Sequence, residues 1–110
     1  MTIKQASINQ EDKKAVYQLT MAPNRSSVQS LKGHVITVTD YALFTDTNNR
    51  GEEIDMLSIC TADGAIYTTI SQFCIREAIK IFELFGVPVD LKIDSLMCNN
   101  GREAIYCTLA

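Results

Sequence analysis

The sequence lacks most of the features that assign a chain to a membrane or secreted class. It has no tryptophan, two prolines and one histidine among 110 residues. No apolar run approaches the roughly 18–20 residues that span a bilayer, so we expect no membrane segment. Residues 1–12 are polar and contain no apolar signal-peptide stretch, which favours a cytoplasmic protein. The length suits one domain and leaves too little chain for a second core.

The cysteine pattern argues against disulfides and metal. The four cysteines, at positions 60, 74, 98 and 107, show no CxxC spacing and lie within apolar runs. This pattern predicts reduced, small core residues, because a secreted disulfide framework is shorter and richer in cysteine. A structural zinc site is not expected, since only His34 is present to join four scattered thiols. We therefore predict no metal and no cofactor.

Motifs for catalysis are also missing. The sequence contains no G-x-S-x-G and no glycine-rich phosphate loop. His34 has no serine or cysteine partner in a nucleophile setting. Glu52, Glu53 and Asp55 form an acidic cluster near a turn, which is typical of a solvated loop. We predict no catalytic residues and no enzyme; a small hydrolase or nuclease stays an alternative only because these carboxylates cluster.

The charges are few and unevenly placed. The net charge is −3, which excludes a generally basic nucleic-acid binder. Residues 1–32 carry five basic and two acidic side chains, whereas residues 33–63 carry one basic and six acidic side chains. A protein that binds single-stranded nucleic acid through local basic groups and base stacking remains compatible with this distribution.

The periodicity from residue 33 onward predicts a mainly β fold. Apolar residues alternate with period two in five segments, which predict strands over residues 34–44, 54–61, 65–70, 87–97 and 104–109. Apolar residues at helical spacing follow Ser71, and Gly86 ends the pattern, which predicts a helix over residues 71–85. This is the order of the OB-fold, a five-stranded Greek-key barrel, here with one helix between strands 3 and 4.

The first 30 residues carry weaker signals. Residues 1–10 are polar, and we expect them to be frayed. Acidic residues followed by Val16 and Leu19 predict a short helix over residues 11–21. It ends at Ala22 because the residue before a proline avoids the α region. We therefore predict an N-terminal extension with a short helix at residues 1–30, and an OB-fold domain at residues 31–110.

Three tyrosines are predicted on outward positions of three strands. If the apolar residues that alternate with them along each strand face the core, then Tyr41, Tyr67 and Tyr106 face outward. Each ring is suited to stack on a nucleic-acid base. Alternatively, each tyrosine covers hydrophobic surface and shows its hydroxyl to water. The phenylalanines of the helix, at positions 73, 82 and 85, have helical spacing and are expected to plug the barrel.

Three basic residues are predicted to follow phosphates. Arg50 lies in the loop between the first two predicted strands, and Arg102 lies in the turn between the last two. These two loops flank the binding face of an OB barrel. Lys32 directly precedes the first strand. An arginine binds phosphate with two parallel hydrogen bonds and also stacks on bases. Solvated turn arginines are the alternative interpretation.

The sequence resembles the small single-stranded DNA-binding proteins of tailed bacteriophages over about residues 31–110. The resemblance lies in the hairpin from Gly51 to Gly64, in S-x-x-C-I-R at the helix start from Ser71, and in G-R-E-x-x-x-C-T from Gly101. It implies an OB barrel that coats single strands independently of sequence during phage replication or recombination, in the host cytoplasm. The chain departs from the family at residues 97–100, where Met-Cys-Asn-Asn replaces a sequence with a phosphate-binding lysine.

Two function classes therefore remain. The first is a non-catalytic single-stranded DNA-binding protein that uses Tyr41, Tyr67 and Tyr106 for bases. Its phosphate contacts are Lys32, Arg50 and Arg102, and phage replication proteins are possible partners. The second is an OB-like adaptor that binds a replication or host protein through the acidic loop at residues 52–55. A monomer and a small homo-oligomer are both open.

Overall fold

Seven strands form one curled sheet in the computed structural model, which describes all residues 1–110. The strands are β1 (Thr2–Ala6), β2 (Ser26–Ser27), β3 (Val35–Thr47), β4 (Glu53–Thr61), β5 (Ile66–Thr69), β6 (Val89–Met97) and β7 (Glu103–Leu109). The helices are α1 (Lys13–Thr20) and α2 (Gln72–Phe85), with a 3-10 turn at Val28–Leu31. No helix is long and apolar enough to cross a membrane.

The sheet is curled but not closed. Its strand order is β2-β5-β4-β3-β6-β7, and β1 pairs with β3 beside this path. All neighbours are antiparallel except β2 and β5, which pair in parallel over two residues. The long strand β3 pairs with β6 through its first residues and with β1 through its later ones. No pairing joins β5 to β7, so a seam remains between these two strands.

The mainly β prediction is confirmed, but the predicted strand number is wrong. Seven strands are present rather than five, because β1 and β2 from the first 30 residues join the sheet. The prediction that residues 1–10 are frayed is wrong for the same reason. Helix α1 lies inside the predicted 11–21 segment, where the Asp12 side chain accepts a hydrogen bond from the Ala15 amide.

Helix α2 starts and ends where its local signals place it. The Ser71 hydroxyl accepts a hydrogen bond from the Cys74 amide, and Gly86 ends the helix at a φ of 71°. A positive φ costs glycine little because it has no Cβ. The helix buries Phe82, whereas Phe85 is 55% exposed and Phe73 is half-buried. Only one of the three predicted plug phenylalanines therefore lies in the core.

A register shift in β3 directs its apolar side chains to two different buried faces of the sheet. The β3–β4 pairing slips between Val38 and Asp40, so the side-chain alternation changes face at this point. Val38 and Tyr41 consequently lie in the main core with α2. Ala42 and Phe44 lie in a second core on the opposite face, against α1. The first strand therefore does not present one continuous apolar face.

Candidate nucleic-acid interface

The open seam between β5 and β7 forms a groove of about 670 Å³. One wall comes from β5 and the short strand β2, and the other comes from the start of β7 and the preceding turn at residues 98–102. Hydroxyl groups line much of it, from Ser26, Ser27, Thr68, Thr69 and Ser71. Hydroxyl groups and backbone amides are common contacts to phosphate and sugar oxygens. The groove thus has the chemistry of a backbone-binding surface.

Two arginines line this groove. Arg25 is half-buried, its Nε donates to the Ala22 carbonyl oxygen at 3.0 Å, and its buried Nη1 has no hydrogen-bond partner. Arg102 is exposed, and its backbone amide donates to the Asn100 side chain at 3.0 Å. Neither guanidinium forms an ion pair with a carboxylate. Both positive charges therefore remain available to an anionic ligand.

Lys32 is paired inside the protein. Its Nζ lies 2.7 Å from a carboxylate oxygen of Glu103, which also lines the groove. The hydrogen bond from Lys32, aided by its charge, lowers the pKa of Glu103. A phosphate would have to displace this carboxylate to reach Lys32, so the pair weakens the predicted role of this lysine.

The predicted outward position of Tyr41 is wrong. Its ring is 7% exposed and stacks on Phe82 of α2 with 4.3 Å between the ring centroids. Its hydroxyl accepts a hydrogen bond from Gln5 Nε2 at 2.9 Å. The register shift after Val38 is the cause, because it turns Tyr41 to the inner face. Tyr41 is a core residue and has no free ring face for a base.

The predicted outward position of Tyr67 is also wrong. Ile66 faces the second core instead of the main core, and it is 9% exposed beside Leu19. Tyr67 therefore points to the opposite side, where it is half-buried and packs against the main core. It lines a second cavity and not the groove.

Tyr106 lies on the outer side of β7, opposite the buried Cys107, as the alternation predicts. It stacks on Phe73 at 5.7 Å between centroids and 18° between planes. The Arg76 guanidinium lies 5.3 Å from the Phe73 ring centroid. None of these three residues, the outer stack, lines the groove. Tyr106 and Phe73 directly follow, by one and two residues along the chain, the groove residues Ile105 and Ser71, which are joined by a hydrogen bond of 3.2 Å from the Ser71 hydroxyl to the Ile105 carbonyl.

Arg50 and the acidic residues lie in and beside the turn between β3 and β4. Arg50 is exposed and does not line the groove. Asp55 pairs with Lys4 at 3.0 Å, whereas Glu52 and Glu53 form no ion pair. No group of histidine, cysteine, aspartate or glutamate side chains is placed to hold a metal ion.

Sequence reasoning missed Arg25, Phe73 and Arg76 as members of a site. Arg25 directly precedes β2, which pairs with β5 over only two residues. A strand this short leaves no periodic pattern in the sequence, so the sequence does not predict that Arg25 lies beside β5. The helical spacing of Phe73 predicts a core position. Its position opposite Tyr106 depends on the packing of α2 against β7, which no local pattern encodes.

Comparison of the chain with protein-family models, with curated proteins and with solved structures finds no match. The resemblance to phage single-stranded DNA-binding proteins therefore stays a prediction, and the function has to be argued from the groove and the outer stack.

Proposed function

We propose that the chain binds single-stranded DNA in the groove at the β5–β7 seam, without catalysis. The observation that carries this proposal is the groove itself, which holds Arg25 and Arg102 without carboxylate partners. Its lining residues Ile105 and Ser71 are followed along the chain, by one and two residues, by Tyr106 and Phe73 of the outer stack. The arginines would contact phosphates, and the exposed part of Tyr106 or Phe73 would contact a base. Aromatic and cationic contacts of this kind bind single strands with little sequence preference.

An OB-fold assignment supports the same proposal. Strands β3 to β7, with α2 between β5 and β6, follow the chain order of a five-stranded OB barrel. OB barrels are partly open, and they bind oligonucleotides beside their second and third strands and the loops that flank them. The corresponding elements here are β4, β5 and the turns before β4 and β7. The groove includes parts of β5 and of the turn before β7.

The charge balance sets how such a complex would be stabilised. A protein of net charge −3 with two free arginines in its groove neutralises few phosphates. For single strands, each neutralised phosphate contributes about −0.7 to the slope of log K against log salt. We therefore expect a shallow slope of about −1.4 and a large contribution from stacking.

The competing proposal is an adaptor that binds another protein. It is supported by the β3–β4 turn, where Glu52 and Glu53 are exposed and unpaired. It is also supported by the absence of an aromatic ring in the groove lining. On this proposal the acidic turn would contact a basic partner, and the groove would have no affinity for DNA.

Fluorescence anisotropy with labelled oligo-dT across a salt series tests the proposal. Arg102→Ala should weaken binding and reduce the slope by about 0.7. Arg50→Ala is the matched control, because Arg50 is an exposed turn arginine outside the groove. If Arg50→Ala reduces the slope and Arg102→Ala does not, the strand follows the β3–β4 turn and the groove assignment is wrong.

A second variant tests the proposed contact between Tyr106 and a base. Tyr106→Ala should weaken binding roughly 5- to 150-fold at every salt concentration and leave the slope unchanged. Tyr17→Ala is the control, because Tyr17 is 49% exposed on α1, away from the groove. Absence of oligo-dT binding by the folded parent protein would refute the proposal and favour the adaptor.

A further inference from the structure

A second cavity of about 380 Å³ lies between the start of β3 and the β4–β5 hairpin. It shares no residue with the groove. Its wall includes Leu31, His34, Val35, Ile36, Asp63 and Tyr67. Ligand sites in proteins are typically about 300–1,000 Å³, so this cavity is near the small end and suits one small molecule better than a strand.

One side of the cavity is apolar and fixed in place. Tyr67 packs against the main core, as do Leu31 and Ile36, so their orientation is set by packing. Val35 is 59% exposed although its side chain is branched and apolar. The cavity therefore offers a held aromatic ring beside uncovered apolar surface, which favours a flat ligand that stacks.

The other side carries polar groups with free hydrogen-bonding capacity. One carboxylate oxygen of Asp63 accepts from the Thr61 hydroxyl and from the Ala65 amide, at 3.1 Å for the amide. These hydrogen bonds lower the pKa of Asp63, so the carboxylate is ionised at neutral pH. No other residue donates a hydrogen bond to its second oxygen, and the ring nitrogens of His34 and the hydroxyl of Tyr67 form no hydrogen bond within the protein.

The chemistry of the cavity selects a class of ligand. An ionised carboxylate accepts hydrogen bonds and repels phosphate, so the part of the ligand inside must carry a hydrogen-bond donor and no negative charge. We propose that this cavity binds a single nucleobase with an exocyclic amino group, stacked on Tyr67 and donating its amino hydrogen to Asp63. This goes beyond the DNA groove, because it is a separate site with base selectivity.

Free cytidine and uridine are the probes, since they differ at the group that would face Asp63. Each nucleoside is titrated into isotope-labelled protein at neutral pH, and binding is followed by amide NMR. The amide signals of residues 30–37 and 61–67 should shift. Cytidine should bind about tenfold more tightly than uridine, because a hydrogen bond to a charged acceptor is worth about that factor. Tyr17→Ala is the control and should leave both affinities unchanged, because Tyr17 lies on α1 and lines neither the cavity nor the groove.

Two variants separate the roles. Asp63→Asn should abolish the preference for cytidine, because the amide oxygen still accepts from Thr61 and Ala65 while the new amide presents a donor. Tyr67→Leu should weaken both nucleosides about tenfold and keep the apolar packing. The dispersion of the amide spectrum shows whether each variant is folded, and Asp63→Asn alters only an exposed turn residue.

Several outcomes would overturn this proposal. They are no shift with either nucleoside, shifts confined to the groove, or equal affinities for cytidine and uridine in the parent protein. Failure of this proposal can be distinguished from failure of the DNA-binding proposal, because the oligo-dT used to test the groove contains only thymine, which has no exocyclic amino group. Oligo-dT binding can therefore fail while cytidine binds, and the reverse holds equally.

Discussion

Tyr41 gives the sharpest test of the fold, because the sequence places it on the surface and the structure places it in the core. Its ring is 7% exposed and stacks on Phe82. Truncating a buried aromatic side chain to alanine costs about 3–5 kcal/mol, out of perhaps 5–15 for a whole domain. Tyr41→Phe removes only the hydrogen bond from Gln5, worth about 0.5–1.5 kcal/mol.

Urea unfolding, followed by oligo-dT anisotropy on the folded variants, measures both effects. For a slope of about 1–3 kcal/mol per molar urea, Tyr41→Ala should lower the midpoint by about 1 M or more. Tyr41→Phe should lower it by a fraction of that and bind DNA like the parent. Tyr17→Ala, at an exposed position, should shift stability by no more than about 0.5 kcal/mol. If Tyr41→Ala unfolds like the parent yet loses DNA binding, the burial of Tyr41 is wrong.

Two further predictions concern acid stability and thiol reactivity. Lys32 lowers the pKa of Glu103 below its ordinary 4.5, so this pair stabilises the fold above that pH and loses its effect as the pH falls through the lowered value. Lys32→Met should therefore reduce the loss of stability between about pH 7 and about pH 3, compared with Lys92→Met, and equal losses would contradict the pairing. In a thiol titration of the native protein, the exposed Cys98 should give the one fast phase, which Cys98→Ser removes. A fast phase of three or more thiols would contradict the burial of Cys74 and Cys107, because only Cys98 and the half-buried Cys60 are not buried.

The elements that the sequence predicted well are those with complete local signals. Helix α2 has an N-cap serine, a broad apolar face and a terminal glycine, and it forms within one residue of the predicted bounds. Strand β4 likewise forms at Glu53–Thr61, close to the predicted 54–61. Their apolar residues follow one period throughout, about 3.6 residues in α2 and two residues in β4, so the period identifies the type of each element.

The errors at Tyr41 and Tyr67 have a common physical cause. The prediction assigned one apolar face to each strand and placed the other face in water. The structure covers both faces of β3 to β5, so apolar residues on either side are buried. Ile66 satisfies the alternation equally well when it faces α1, and the register shift in β3 adds no marker to the sequence. A pattern of period two cannot distinguish these cases when both faces are covered.

The packing of residues 1–30 on the sheet also explains why the candidate site lies at the seam between β5 and β7. In a five-stranded barrel the outer face of β4 and β5 is open to a ligand, and residues 1–30 are a separate extension. Here β1 and α1 occupy part of that outer face, where Leu19 packs on Phe44 and Ile66. The seam between β5 and β7, which this cover leaves free, is consequently the concave surface with the polar lining described above.

This argument makes a prediction about Leu19, which is 3% exposed in α1. Leu19→Ala should destabilise the whole domain by about 2–5 kcal/mol, because the second core around it is small and cannot close over the lost volume. Met21→Ala is the matched control, since Met21 is 54% exposed at the end of the same helix and should leave the melting curve nearly unchanged. If residues 1–30 were an extension that does not pack on the sheet, Leu19→Ala would melt like the parent protein. That result would leave the outer face of β4 and β5 free, and the DNA path would have to be moved from the seam to that face.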